Sequence, residues 1–360
     1  MKYVEEFHNP EKAKRLAQQI QQVVEQPLAL MEVCGTHSHV IARYGLTQML
    51  PAPLRLISGP GCPVCVTPPE VIDAAIELAR KGIWLAVFGD MMQVPGSDGS
   101  LSDAKAAGAQ VRIVYSPIQA VEWAQGNPDE EIVFMGVGFE TTAPSVAICI
   151  SEASELSLTN FSVLTAHKLI PPAMEALIGQ PDVQIDGFLC PGHVSAIIGS
   201  YPYQPLADRG IPCVVAGFEP LDVLQSVYIL ARMHRENNPQ VLIQYDRVVK
   251  PEGNRIALTK MNQVFEVTDT RWRGLGEIPA SGLRIRNEYS QFDAQKRFAL
   301  ELKPVPEPPG CQCGAVLRGA MQPTDCALFG TACRPDHPVG PCMVSSEGAC
   351  AAVYRYALSP

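Results

Sequence analysis

Positive charge is scarce in this sequence. Lys and Arg total 28 against 37 Asp and Glu, a formal net charge of −9, and no basic stripe interrupts the balance. An electrostatic nucleic-acid footprint is therefore not expected. Long apolar runs are missing as well, since no stretch approaches the about 20 residues a membrane-spanning helix needs. The opening residues, MKYVEEFHNPEK, hold no apolar signal core, so a cytoplasmic location is expected. Charged residues make up only 18% and apolar ones 47%. That balance excludes a disordered chain and gives the 360 residues material for two or three domains.

Cysteine, by contrast, is abundant, with twelve in the chain. In a reducing compartment structural disulfides are disfavoured, so clustered thiols point to metal ligation or redox work. Cys149, Cys190 and Cys213 sit in the apolar runs ICI, FLC and IPCVV and read as small buried hydrophobes. Cys34, Cys62 and Cys65 lie early, and six more fall between residues 311 and 350. The gaps among those six are 1, 12, 6, 8 and 7 residues, with no C-x₂-C pair. Zinc knuckles usually pair their ligands closely, whereas a cubane iron–sulfur cluster needs four thiolates without fixed spacing. Spacing favours the cluster and leaves zinc open. Two thiols beyond the four ligands could form a redox-active pair beside it.

Residues 9 to 26 read as an opening helix capped by Asn9, with Pro10 in its first turn. After it come short apolar runs, LALMEV, LRLIS, IWLAVF, VRIVY, EIVFMGV, FSVLTA, IDGFLC and IPCVVAGF, interleaved with helical stretches. Continuous apolar strands of this kind imply parallel sheets covered on both faces. Thr67-Pro68-Pro69-Glu70 reads as a capping box, and Thr142 and Pro171-Pro172 as further helix starts. A weak echo between GPGCPV at 59–64 and CPGHVS at 190–195 suggests two related units, with GNPDE at 126–130 as linker. Beyond about residue 240, strands joined by a turn at Pro251-Glu252-Gly253 are expected, then a stiff connector PVPEPPG at 304–310. The expected fold is α/β: two related parallel-sheet α/β domains around a cleft, plus a C-terminal α+β iron–sulfur domain. The expected boundaries are 1–26 for the helix, 27–125 and 126–239 for the α/β domains, and 240–360 for the last.

Cys34 closes an apolar run ahead of a helix that Thr36 can cap, where the helix dipole favours a thiolate. His37 and His39 could ligate metal, relay protons or only fix the loop. Cys62 and Cys65, in ISGPGCPVCVTPPE, have the C-x-x-C spacing of thiol–disulfide chemistry before a helix; a zinc half-site is the alternative. Glu140 with two threonines, Thr165, His167 and Lys168, and His193 follow other strands. These place polar groups at sheet edges, where α/β ligands bind, and favour one shared cleft.

CGTHSH at 34–39, GPGCPVC at 59–65, GFETTAP at 138–144, PGHVSAIIG at 191–199 and the C-terminal cysteines together resemble the HypD family of nickel–iron hydrogenase maturation factors. The likeness runs over nearly the whole chain and includes the pattern C-x₁₄-C-x₆-C-x₁₆-C at Cys311, Cys326, Cys333 and Cys350. It implies that these four bind a [4Fe–4S] cluster and that Cys313 and Cys342 form a redox pair, as in ferredoxin:thioredoxin reductase. It implies that Cys34 binds the iron that becomes Fe(CN)₂CO, with a cysteine of the small chaperone HypC, supported by His37, Cys62 and Cys65. HypE would deliver cyanide from a thiocyanate, and HypC would carry the unit to the hydrogenase large subunit. Glu140 and His193 join the candidate active residues through their motifs. A relay from Cys313/Cys342 to Cys62/Cys65 is the expected electron route. The competing readings are a stand-alone iron–sulfur thiol–disulfide oxidoreductase and a zinc-stabilised interaction module.

Overall fold

Each of the eight runs from LALMEV to IPCVVAGF becomes a strand in the computed structural model, which describes residues 9–357. In chain order these are β1 (Leu28–Glu32), β2 (Leu54–Ser58), β3 (Trp84–Val87), β4 (Val111–Ile113), β5 (Ile132–Gly136), β6 (Phe161–Thr165), β7 (Gly187–Pro191) and β8 (Cys213–Ala216). Then follow β9 (Val241–Ile243), β10 (Phe265–Trp272) and β11 (Gly276–Ile285). β1, β5 and β7 are buried at all positions, as strands covered on both faces must be. The opening helix is Pro10–Val23, with the Asn9 side chain accepting from the Lys12 N–H at 3.0 Å. Residues 1–8 of the expected first segment lie outside the described residues, as do 358–360 at the other end.

Two parallel sheets form. The first has the order β2-β1-β7-β8-β9 and the second β4-β3-β5-β6, while β10 and β11 make an antiparallel hairpin. Counted within each sheet, the strands run 2-1-3-4-5 in the first and 2-1-3-4 in the second, so the two units share one topology but for the first sheet's extra edge strand. They are nested rather than consecutive. The second sheet is inserted between the second and third strands of the first, which corrects the expected division into 27–125 and 126–239. Gly126 ends a helix and residues 127–130 are the loop entering β5, not a linker, and β9 carries the first sheet past residue 240. The two echoing motifs both lie in the first sheet, after β2 and after β7; their likeness reflects a shared edge, not equivalent domains. The sequence pattern marks strands but carries no record of which ones pair, and long-range pairing set the boundary.

Smaller differences have local causes. The helix expected at Thr67 starts at Pro69 with Pro68 at its cap, because the Thr67 hydroxyl donates back to the Pro63 carbonyl at 2.8 Å. After the Pro251–Gly253 turn, RIALTKMNQV is a helix (Arg255–Val264) capped by Asn254, not a strand. Cys149, Cys190 and Cys213 are core residues, at most 3% exposed. Among the described residues no helix is long and apolar enough to cross a membrane.

Candidate metal and thiol centre

In a parallel sheet the natural ligand site is the carboxyl edge at the point where strand order reverses. In the first sheet that point lies between β1 and β7. Cys34 follows β1, and the helix Gly192–Ile198, carrying His193, follows β7. The Cys62–Cys65 loop follows β2 on one side of Cys34, and Gly217 and Phe218 follow β8 beyond His193.

The backbone locks the thiol loop onto Cys34. The Gly59 N–H donates to the Glu32 carbonyl at 2.8 Å, and the Gly35 N–H donates to the Gly61 carbonyl at 3.0 Å. Gly61 lies so close to the Cys34 backbone that any Cβ there would overlap it. Cys62 and Cys65 form a disulfide with Cα atoms 5.3 Å apart, 3% and 0% exposed. Cys34 is the N-cap of the helix Gly35–Arg43. Thr36, expected to cap it, instead donates its hydroxyl to Glu347 Oε1 at 2.7 Å.

Electrostatics at Cys34 run opposite to the expected thiolate. Burial, followed by the nearby Glu347 carboxylate, pushes the thiol up to about 12. One helix end does not offset complete burial among acids, so the sulfur holds its proton until a cation replaces it. Glu32, at the end of β1, is also buried and accepts the Cys34 N–H at 3.0 Å and the Ser38 hydroxyl. Burial raises it to about 8, against those hydrogen bonds.

His37 is fully buried and its Nε2 lies 3.0 Å from the Gly217 carbonyl. A carbonyl only accepts, so Nε2 carries the proton and Nδ1, which has no partner, keeps a free lone pair. Burial lowers this imidazole to about 4. Phe218 lies between His37 (ring centroids 4.9 Å apart) and His193 (3.9 Å). His39 points elsewhere, with Nε2 3.2 Å from the Tyr356 hydroxyl.

That contact and the Thr36–Glu347 bond bring the C-terminal region against the Cys34 helix. Cys311, Cys313, Cys326, Cys333 and Cys350 line one small pocket there, and Cys342 is fully buried. Hydrogen bonds from the Cys313 and Cys342 thiols hold Cys350 down, and hydrogen bonding to Cys313 and Cys350 pushes Cys342 up. A Cβ on Gly340 would come within 2.5 Å of Cys311 Sγ and 2.7 Å of Cys313 Sγ, so only glycine leaves both sulfurs their places. Cys65 Sγ lies 3.9 Å from the Pro341 carbonyl, one residue from Cys342. Among the described residues no three His, Cys, Asp or Glu side chains converge on a single ion.

The remaining candidates lie on the other sheet. Glu140 follows β5 and accepts the Ile170 N–H at 3.0 Å; Thr165, His167 and Lys168 lie at the end of β6. No hydrogen bond or ion pair among the described residues joins them to Cys34, so the expected shared constellation resolves into two edges. The sequence reading missed Glu32, Phe218 and Glu347. An acid inside the apolar run LALMEV was a legible signal for Glu32, whereas nothing local marks the other two.

The family model described as HypD, hydrogenase formation hypA family, matches residues 11–357. Hydrogenase maturation factor HypD of Azotobacter vinelandii is 49% identical, over 99% of this chain and 97% of its own. The HypD2 factor of Bradyrhizobium diazoefficiens is likewise 49% identical over the same shares. HypD of Escherichia coli is 45% identical, over 99% of this chain and 98% of its own. With a match of this length over the cysteine and histidine motifs just described, the chain belongs to the HypD family of hydrogenase maturation factors.

Proposed function

We propose that this cytoplasmic chain is the scaffold on which the Fe(CN)₂CO unit of nickel–iron hydrogenases is built, with Cys34 holding the iron. The observation that carries the reading is one of placement. The carboxyl edge of the first sheet collects Cys34, the Cys62–Cys65 disulfide and the C-terminal thiols, which lie some 250 to 300 residues apart in sequence. A soft thiolate suits low-spin iron, and the unpartnered His37 Nδ1 adds a neutral base nearby. Cys34 gives up its thiol proton when iron binds. One thiol does not close a metal site, which fits a second cysteine brought by the chaperone HypC.

Cyanide release from a thiocyanate carried by HypE consumes two electrons and one proton, leaving a thiol and cyanide. Oxidation of the Cys62/Cys65 dithiol to its disulfide supplies both electrons, and the structure holds the oxidised form. The next pair of thiols, Cys313 and Cys342, begins one residue beyond the Pro341 carbonyl that touches Cys65, a short path for thiol exchange. Five of the residues lining the C-terminal pocket are cysteines, and Gly340 clears the space beside Cys311 and Cys313, which suits a four-thiolate cluster. A [4Fe–4S] cluster on Cys311, Cys326, Cys333 and Cys350 would supply one-electron chemistry beside that pair.

Infrared spectroscopy of the anaerobically purified protein with HypC tests the reading. Cyanide and carbonyl stretches are expected in the wild type and absent in Cys34→Ala. Bands that persist unchanged in Cys34→Ala would overturn it.

A further inference from the structure

One carbonyl, that of Gly217, keeps His37 Nδ1 free, and the residues that hold this carbonyl have no part in the chemistry above. Gly217 follows β8 and precedes the helix Pro220–Arg235. Gln244, just past β9, accepts the Gly217 N–H on Oε1 at 3.0 Å and donates from Nε2 to Asp222 Oδ1 at 2.8 Å. An N–H only donates and a carboxylate only accepts, so one orientation of the Gln244 amide satisfies both. Asp222 is 1% exposed, and its Oδ2 accepts the Glu219 N–H at 3.1 Å. Arg247 clamps the same carboxylate, donating from Nη1 to Oδ1 at 2.9 Å and from Nη2 to Oδ2.

These bonds bracket a single peptide group. Gln244 holds the N–H of Gly217 and Asp222 that of Glu219, so the Gly217–Phe218 peptide between them is fixed from both sides. A Cβ on Gly217 would overlap the Asp222 carboxylate, so only glycine allows this approach. The same segment steadies the next ring: Tyr245 meets Phe218 edge-on at 5.7 Å, and the Arg247 guanidinium lies 4.4 Å over the Tyr245 ring. The direction of the peptide decides what His37 offers. With the carbonyl towards Nε2, the proton sits there and Nδ1 accepts. Without it the proton is free to move to Nδ1, which then neither ligates a metal nor takes up a proton. His37 belongs to the Cys34 turn, its backbone N–H donating to the Cys34 carbonyl at 2.8 Å. Groups that fix the far nitrogen of an imidazole tune the metal site it serves.

We propose that Asp222, Gln244 and Arg247 are positioning residues of the iron site, which fix the His37 tautomer through the Gly217 carbonyl. The role rests on the iron reading of the preceding subsection, whereas the tautomer is measured with no iron on Cys34. In the full chain carrying isotope-labelled histidine, nitrogen magnetic resonance should show His37 as the Nε2–H tautomer, its signal identified by loss in His37→Gln. Gln244→Met keeps the bulk and loses both bonds, and should raise the ratio of Nδ1–H to Nε2–H about tenfold, as the loss of one hydrogen bond would. Asp222→Asn should move it the same way by less, since an amide accepts at one end only. Loaded with iron beside HypC, each variant should also retain less iron, about tenfold less for Gln244→Met. If Gln244→Met does not fold, Asp222→Asn decides alone. A tautomer unmoved in the folded variants overturns the inference, as does a shifted tautomer with iron retention equal to the wild type; both leave the iron reading standing. Fe–CN bands that persist in Cys34→Ala overturn the iron reading, and the role with it.

Discussion

The order-reversal point of the first sheet is flanked by Cys34 and the His193 helix; that of the second, between β3 and β5, is flanked by Asp90 and Glu140. Topology is the same at both edges, yet the groups collected there differ in kind. At the first, a protonated thiol sits among acids and an imidazole with a free Nδ1, and a cysteine-rich segment covers it. At the second, burial pushes Glu140 up to about 7, His167 down to about 3 and Lys168 down to about 7, so each is driven towards its neutral form. The β10–β11 hairpin closes over that edge, with Lys168 Nζ donating to Thr270 Oγ1 at 2.8 Å and the Leu169 N–H to the Ser281 carbonyl at 2.8 Å. A shared topology offers a ligand position twice, and donor softness with the covering segment decides which one suits a metal.

Three measurements would break or sharpen this contrast. The largest effect is expected at the first edge. Glu347→Gln removes the charge beside Cys34 while keeping the shape that meets Thr36, and should weaken iron retention roughly 10- to 100-fold. Lys168→Met, at the second edge, should leave iron retention as it is. Equal losses in the two variants, by metal analysis after gel filtration, would erase the distinction.

The second edge should reveal itself in stability instead. Lys168 falls from 10.5 to about 7 on folding, so between those values the unfolded chain holds a proton that the folded chain does not. Stability should therefore decline as pH falls from 10.5 through 7, by an amount on the order of a few kcal/mol. Lys168→Met should flatten that slope in urea titrations at stepped pH. Glu140 gives the opposite sign: its pKa rises from 4.5 to about 7, so its contribution is lost as pH rises across that window, and Glu140→Gln should remove this loss.

The smallest effect concerns the rings at the first edge. Phe218→Ala removes stacking on both His37 and His193, about 1 kcal/mol for each ring pair beyond the lost burial. Denaturant unfolding would register the loss, and a shift in the His37 nuclear magnetic resonance titration would show whether Phe218 also keeps the ring dry.

Much of this was legible in the residues. The apolar runs from LALMEV to IPCVVAGF marked their strands because a strand buried on both faces cannot accommodate regular polar alternation. Cys34, Cys62 and Cys65 stood out because thiols between a strand and a helix are rarely neutral to function. Local sequence favours a thiolate at Cys34 because a helix dipole is a local feature; burial beside Glu347, which is not local, reverses that. RIALTKMNQV fits strand or helix in sequence, because a short apolar pattern does not separate the two without its packing partners.

The sequence by itself determined the elements, the thiol inventory and the chemical softness of the candidate donors, because these follow from side-chain type and short-range periodicity. Only the tertiary structure decided that one sheet is nested in the other and that Glu347 and Cys342 stand beside residues about 280 to 310 positions earlier. The physical reason is that strand order, burial and the field around a thiol are set by neighbours distant in the chain. Those neighbours leave no mark in the local pattern from which an element is read.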